Sequence, residues 1–289
     1  MLYKSCIFFN WNMKIIYSFF ANIYYSLIIL RNYLFSKFIV KKISDFRSIP
    51  IVINNRNRYT FLKQLVDYLI EKQFTNIIII DNKSSYPELL KYYDELKLMG
   101  INIIYLDENL GFKALEMIPI YKKIRKGYYI YTDPDVLPVS ECPDDFVEYF
   151  FNLLQRYPKV QKVGFSLKID DLPDHFDRKN EVADWESALY KLRLEEGVYE
   201  APIDTTFALH RPLSKISTQG RYKHIRTTYP YQARHLPWYN NTMDLSDEEK
   251  YYITHVEIGT HWSKGLEVEN DTFFKKITTW FKQLYNRIS

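Results

Sequence analysis

The chain has 289 residues, 47% hydrophobic and 26% charged, enough to bury the core of one catalytic-sized domain. Its net charge of only +4, without arginine-rich or aromatic RNA-binding patterns, argues against a nucleic-acid partner. The two cysteines, Cys6 and Cys142, form neither a metal motif nor a disulfide framework, which fits a reduced, cytoplasmic setting.

Residues 1–45 are predicted to be a basic, aromatic helical segment, because cations occur there without any acid before Asp45. Lys14 and Arg31 flank an apolar run, residues 15–30, that is shorter than the roughly 20 residues a spanning helix needs. A secretory signal stays open, although no small-residue cleavage site follows the run. We expect this segment to lie in a membrane interface. The alternative is a helix packed on the domain or on a partner.

Buried-type strands alternate with helical patterns between residues 50 and 133. The predicted strands are 50–55, 76–81, 101–106 and one ending at Asp133, and the helices between them are 61–72, 87–99 and 114–126. Apolar strands separated by helices predict an α/β fold with a mainly parallel, Rossmann-like sheet flanked by helices.

Ligands of such sheets bind beyond the carboxyl ends of the strands. The polar residues predicted at those ends are Asn54, Asn55, Arg56, Arg58, Asp81, Asn82, Ser84, Asn109, Asp133 and Asp135. The most informative are Asp133 and Asp135, where Pro134 favours a turn that brings the two carboxylates to a common point. Carboxylate oxygens suit Mg²⁺ or Mn²⁺, which keep open positions for waters and phosphates. A solvated turn is the alternative.

Four segments together resemble a family 2 glycosyltransferase with the GT-A fold. They are Pro50–Arg58, Ile79–Ser85, Asn109–Gly111 and Asp133–Asp135, in that order and spacing. The resemblance covers roughly residues 49–138 and weakens beyond them. It implies a catalytic domain over residues 46–265, with a nucleotide-binding half at 46–138 and an acceptor half at 139–265.

The resemblance also implies roles for individual residues. Asp81 would accept a hydrogen bond from the base of a nucleotide-sugar donor, and Arg56 would lie beside the base or the diphosphate. Asn55, Asn109 and Asp133 would complete the donor site. Asp133 and Asp135 would hold Mn²⁺ or Mg²⁺, which neutralises charge on the leaving diphosphate.

Each of these roles has a simpler alternative. Arg56 can be a surface charge, Asp81 a turn cap, and residues 109–111 only a turn.

In the acceptor half we predict a strand at 163–167, a helix from near Asp184 to about Glu196, and a strand at 203–212. Inverting transfer needs a carboxylate to take the proton of the acceptor hydroxyl, and Asp204 and Glu186 are the catalytic candidates, with Asp184 behind them. A turn aspartate for Asp204 and a solvated helix residue for Glu186 are the alternatives.

His235, in the sequence Arg-His-Leu-Pro-Trp-Tyr, resembles the late histidine with which many GT-A enzymes complete the metal site. His261 is its rival, and a loop anchored by Pro-Trp packing is the alternative reading. Residues 266–289 have the apolar periodicity of a basic amphipathic helix, which can lie on a membrane or dock on the domain.

Together with the resemblance, these residues predict a metal-dependent glycosyltransferase that acts on a glycan or lipid-linked acceptor in cell-surface polysaccharide or lipopolysaccharide synthesis. The resemblance implies that the transfer inverts the anomeric configuration. We expect it to be peripheral to the inner face of a membrane. A sugar nucleotidyltransferase is a rival, although residues 54–58 lack the glycines of its phosphate loop. A non-catalytic glycan-binding protein with the same fold is the other.

Overall fold

The computed structural model describes residues 2–40, 42–203, 206–216, 222–241 and 244–255. Its helices are α1 (Leu2–Phe38), α2 (Thr60–Glu71), α3 (Pro87–Leu98), α4 (Ala114–Met117), α5 (Tyr121–Ile124), α6 (Phe146–Arg156), α7 (Lys179–Ser187) and α8 (Asp247–Thr254). Short 3₁₀ turns lie at Phe46–Ser48, Gly111–Lys113, Ala188–Tyr190 and Leu236–Tyr239.

The described strands belong to one sheet. They are β1 (Ile51–Asn55), β2 (Ile77–Asp81), β3 (Asn102–Tyr105), β4 (Tyr129–Thr132), β5 (Val136–Pro138), β6 (Val160–Leu167), β7 (Arg193–Glu195), β8 (Val198–Glu200), β9 (Ala208–His210) and β10 (Lys223–His235). Their order is β3-β2-β1-β4-β9-β6-β10-β8-β7, and β5 pairs with β10 outside this path.

The central strands are mainly parallel. Strands β3, β2, β1 and β4 run in parallel, β9 is antiparallel to both of its neighbours, and β6 and β10 again run parallel to each other. The predicted fold class, an α/β fold with a mainly parallel sheet and flanking helices, is confirmed.

Helices cover both faces of the sheet around strands β1–β4. On one face, Leu65 of α2 and Phe146 of α6 pack with Ile53 of β1 in the larger apolar cluster. On the other face, Leu115 of α4 packs with Val52 of β1 in a second cluster. Apolar strands between two helical layers explain the continuous hydrophobic runs in the sequence.

Two predicted helices are wrong in extent. The helix predicted at 114–126 is broken into α4 and α5, because Pro119 forces Ile118 into an extended conformation (φ −104°, ψ 150°). The helix predicted to reach Glu196 ends at Ser187, and the chain then forms the β7–β8 hairpin around Gly197, which has a φ of +68°.

Parallel pairing places the ends of the strands at two opposite edges of the sheet. The carboxyl ends of β1, β2 and β4 meet at one edge, which we call the site edge. The amino ends of β6 and β10 lie at the opposite edge, the far edge, and the end of antiparallel β9 also lies there.

Helix α1 docks at the far edge. The amide of Asn32 donates to Gln161 of β6 at 2.8 Å, and Arg211, directly after β9, donates to the hydroxyl of Ser36 at 3.1 Å. None of the helices in the described part of the chain is long and apolar enough to cross a membrane. The helix predicted at 266–289 lies outside the described residues, as do Asp204 and His261.

Gly164 is required by the close approach of β9 to β6. A Cβ at this position would lie 2.5 Å from the carbonyl oxygen of Phe207 and 2.7 Å from the Cβ of Ala208. We therefore expect Gly164→Ala to lower the free energy of unfolding by about 1–3 kcal/mol in urea denaturation. Gly127→Ala is the matched control, because its Cβ would meet only the carbonyl of Ile124 at 3.9 Å. Equal losses in the two variants would contradict this packing.

Candidate functional site

The site edge begins with a buried hydrogen-bonded triad at the ends of β1 and β2. Asn55 and Asp81 are register partners, and the hydroxyl of Tyr93 lies between them. It accepts from the Asn55 amide at 2.8 Å and donates to Asp81 Oδ1 at 2.9 Å. The backbone N–H of Ser84 donates to Asp81 Oδ2 at 3.2 Å. Burial raises the pKa of Asp81, although the bonds from Ser84 and Tyr93 oppose it.

Asparagines fix the loop that follows β3. Asn82 accepts from the backbone of Leu110 at 2.7 Å, and both Asn82 and Asn54 donate to the carbonyl of Gly111 at 3.2 Å. Asn109 Oδ1 accepts from the Gly111 N–H at 3.0 Å, so this predicted donor residue forms the turn that was its alternative reading. The loop is thereby held against the ends of β1 and β2.

Arg56 spans two segments at this edge. Its guanidinium donates to the carbonyls of Asn82 and Lys83 at 2.9 and 3.0 Å, and to the carbonyl of His255 at 3.3 Å. The carbonyls orient the guanidinium, and its charge acts on Asp81. Arg56 therefore brings positive charge to the end of β2, where the sequence predicted a diphosphate or a base.

Backbone pairing brings Asp135 and His235 together across 100 positions of sequence. Strand β5 runs antiparallel to the end of β10, with Val136 opposite His235, and the N–H of Leu236 donates to the Asp135 carbonyl at 2.8 Å. As a result, His235 Nε2 lies 3.7 Å from Asp135 Oδ2. The ring of His235 also packs against Trp238, which is 2% exposed.

The electrostatics of this pair suit a cation ligand set. Burial lowers the pKa of His235, and Asp135 opposes this only in part, so the imidazole is neutral at neutral pH. Asp135 Oδ1 and His235 Nδ1 are buried without a hydrogen-bond partner in the described structure. A neutral imidazole and an unsatisfied carboxylate oxygen fit Mn²⁺ or Mg²⁺.

Asp133 does not complete a cluster with them. No three His, Cys, Asp or Glu side chains of the described residues come together as a metal site. The structure thus joins two members of the predicted ligand set, Asp135 and His235. A bound cation would take its further ligands from water or from phosphate oxygens. Asp133, two residues before Asp135, has an interaction of its own.

Several of the buried polar atoms that lack a partner in the described structure lie at the site edge, and others lie elsewhere. Asn54 Oδ1 and Asn55 Oδ1 at the end of β1, and Asp135 Oδ1 after β4, are buried acceptors without a described partner. Leaving one such group unpaired costs about 1–3 kcal/mol, so buried polar atoms without a hydrogen-bond partner are uncommon in protein cores. Their position at the ends of the strands suits a ligand-binding site, and the sequence analysis had placed all three residues there.

Arg58 is a site residue to which the sequence analysis gave no role. Its guanidinium is buried, lies 3.4 Å from the Tyr252 ring centroid, and is ion-paired with Glu249 of α8. Burial would lower the pKa of Arg58, but Glu249, Tyr252 and Asp135 outweigh it and raise the pKa. Arg58 is therefore a permanent cation near Asp135.

Helix α8 was missed altogether. Glu248 at its start accepts from the backbone N–H groups of Tyr59 and Thr60, at 2.7 and 3.1 Å, and thereby caps α2. The hydroxyl of Ser246 accepts from the N–H of Glu249 at 3.2 Å. A Ser followed three residues later by Glu is the capping-box signal that would have predicted this helix.

Glu186, a predicted catalytic residue, is buried in α7 and ion-paired with Arg226 of β10. Its alternative reading, a solvated helix residue, is wrong because the side chain faces the sheet and is only 5% exposed. With its carboxylate already bound to a guanidinium, Glu186 is better suited to holding α7 on the sheet than to accepting a proton.

Asp204, the other catalytic candidate, lies outside the described residues, but the strand after it is described. Ala208 at the start of β9 pairs with Tyr131 of β4, two residues before Asp133. Because β9 is antiparallel to β4, the chain enters β9 from the site edge. The predicted strand at 203–212 is shorter than expected, at Ala208–His210.

No protein-family model matches the chain, and neither does any curated protein. Among solved structures, the chain is similar to S. aureus TarS, with a TM-score of 0.35 and 11% identity over 57% of this chain and 47% of that one. It is also similar to glucosyl-3-phosphoglycerate synthase from Mycobacterium tuberculosis in complex with phosphoglyceric acid. That match has a TM-score of 0.33 and 14% identity over 57% of each chain.

A third similar structure is GalNAc-T7 with UDP, GalNAc and Mn²⁺, with a TM-score of 0.38 and 14% identity over 80% of this chain and 54% of that one. All three are glycosyltransferases with the GT-A fold. The match covers less than two thirds of each of these proteins. Because the TM-scores are below 0.5, the fold assignment rests on the sheet topology, and any function must rest on the site residues.

Tyr93→Phe tests the buried triad. Loss of the hydroxyl leaves Asp81 Oδ1 and the Asn55 amide without their shared partner, so we expect unfolding to become easier by about 1–2 kcal/mol at neutral pH. The variant should raise the pKa of Asp81 further. A carboxyl group with a raised pKa in the folded state favours folding at pH values below the ordinary carboxyl pKa. That contribution to the free energy of unfolding is lost as pH rises through the raised pKa of Asp81.

The measurement is urea unfolding across the acid-to-neutral range. The matched control is Tyr92→Phe, a buried neighbour whose hydroxyl makes no hydrogen bond within the described residues. A penalty for Tyr93→Phe that does not grow with pH would rule out the bond to the ionised carboxylate.

Proposed function

We propose that the chain is a metal-dependent glycosyltransferase that moves a sugar from a nucleotide-sugar donor to a glycan or lipid-linked acceptor with inversion. We place its reaction in the synthesis of cell-surface polysaccharide or lipopolysaccharide. The observation that carries the proposal is the adjacency of Asp135 and neutral His235, at 3.7 Å, on the edge where Asn55 and Asp81 also end their strands.

The donor half of the proposal assigns recognition of the base to the buried triad. Asp81 offers a carboxylate acceptor for a base N–H, and Asn55 Oδ1 is a second acceptor whose own partner is missing from the described structure. Tyr93 holds both side chains in place. Arg56 supplies positive charge beside them, toward the diphosphate.

The metal would be held by Asp135 and His235, and Asp133 lies two residues before Asp135 in the chain. When bound, a divalent cation would neutralise the charge that develops on the leaving diphosphate. Arg58 adds a fixed positive charge near Asp135, and its ion pair with Glu249 keeps it oriented. Trp238, packed on the His235 ring, limits its rotation and excludes water from one side of it.

We assign the proton-accepting role to Asp204. The course of the chain into β9 supports this choice, since residues 206–207 lead into the strand from the site edge. A carboxylate there would take the proton of the acceptor hydroxyl as its oxygen attacks the anomeric carbon. Glu186 would act as a positioning residue, because its bond to Arg226 ties α7 to β10, the strand that ends in His235.

Asp135→Asn tests the cation site. In titration calorimetry with UDP, GDP, CMP and dTDP, the wild type should show heat with one of them that requires Mn²⁺, and the variant should lose that heat. Asp94→Asn is the control, because Asp94 is 77% exposed on α3 and its ion pair among the described residues is with Lys97. If Mn²⁺-dependent nucleotide binding persisted in Asp135→Asn, the assignment of Asp135 as a metal ligand would be wrong.

Asp204→Asn tests the base. We expect turnover to fall about 10²–10⁴-fold while the Mn²⁺-dependent donor binding stays at the wild-type value. Glu186→Gln should instead lower thermal stability, through its buried pair with Arg226, and keep turnover per folded molecule. If Asp204→Asn kept full activity while Glu186→Gln folded but was inactive, Glu186 would be the base and Asp204 would not.

The rival activities have their own outcomes in the same assays. A glycan-binding protein would show no metal-dependent nucleotide heat and no turnover. A sugar nucleotidyltransferase would release pyrophosphate from a nucleoside triphosphate and a sugar 1-phosphate, and a transferase would not.

A further inference from the structure

One face of α1 is apolar and exposed along the half of the helix nearest the domain. Side chains between 42% and 69% exposed recur on this face at intervals of three and four residues. These side chains, which we call the apolar stripe, are Phe20, Tyr24, Leu27, Leu30, Leu34 and Phe38. A shallow groove of about 480 Å³ runs along the stripe around Leu30 and Leu34. Scattered exposed apolar residues are ordinary, but a continuous row of them marks an interaction surface.

The stripe faces away from the domain. The docked side of α1 carries Asn32 and Ser36, which are 1% and 7% exposed and bonded to Gln161 and Arg211. At roughly 100° per residue, these two positions lie on the opposite side of the helix from the centre of the stripe. Their polar contacts fix α1 on the far edge of the sheet, so the stripe must face whatever surrounds the protein.

The charge around the stripe indicates which kind of partner binds it. Arg31 lies within the stripe and Lys37 beside it, and residues 1–44 carry six cations and no acid. A second copy of α1 would bring these cations against one another. Residues 272–289 of this chain would do the same, because they contain Lys275, Lys276, Lys282 and Arg287 without an acid. An anionic surface with an apolar interior matches both properties.

We infer that the apolar stripe of α1 binds the surface of an anionic lipid bilayer. The helix lies along the interface, with the stripe at the acyl boundary and Arg31 and Lys37 at the lipid phosphates. This surface is separate from the nucleotide-sugar site, which lies at the other edge of the sheet.

Vesicle co-sedimentation of the full chain tests this inference. The vesicles are phosphatidylcholine with about 30% phosphatidylserine, compared with phosphatidylcholine alone. We expect the wild type to bind the anionic vesicles and to lose binding on neutral ones and in high salt. Leu27→Gln combined with Leu34→Gln should lower the partition coefficient about tenfold or more. The matched control combines Leu98→Gln and Met99→Gln, exposed apolar positions at the end of α3.

Three outcomes would overturn the inference. They are equal partitioning of the stripe variant and the wild type, equal binding of the wild type to neutral and anionic vesicles, and a wild-type dimer in sedimentation velocity that the stripe variant dissociates. Thermal unfolding and Mn²⁺-dependent nucleotide binding of the stripe variant should match the wild type. Those two readouts separate a failure here from a failure of the proposed transferase activity.

Discussion

The antiparallel pairing of β5 with the end of β10 is the constraint on which the site depends. Six residues of turn and strand, 133–138, follow β4, and this short segment is held by backbone hydrogen bonds to a strand about 100 positions later. The pairing sets Asp135 against His235, and it carries Arg234 and Trp238 to the same end of the sheet. The side chains of Asp135 and His235 lie close together only because β5 pairs with β10.

Local sequence predicted the first four central strands and the first two domain helices to within a residue or two. Each is a continuous apolar run or an amphipathic segment with a clear boundary, such as Pro87 at the start of α3. Local sequence failed for β10, because Pro230 within a polar and aromatic stretch argues against a long strand. The strand forms because β6 and β8 pair with its two sides.

The residues of the candidate site likewise divide into those that the sequence predicts and those that it does not. Asp81, Asn55 and Asp135 could be predicted because they directly follow strands, and parallel strands end together. Tyr93 could not, since its spacing from Leu89 and Leu96 on α3 is that of an ordinary core residue, and only its hydroxyl reaches the triad. Arg58 and Glu249 are 191 positions apart, and a pair of that kind is fixed by tertiary structure alone.

The two edges of the sheet would impose a distance on the acceptor of the proposed transferase. Strand β6 has eight residues and so extends about 26 Å from the edge that holds α1 toward the edge that holds Asp135. With α1 resting on a bilayer, a hydroxyl close to the lipid phosphates would lie a full strand length away from the donor. Such an orientation favours acceptors whose reactive sugar stands several units out from its anchor, and it would make the protein an extender of chains rather than their initiator.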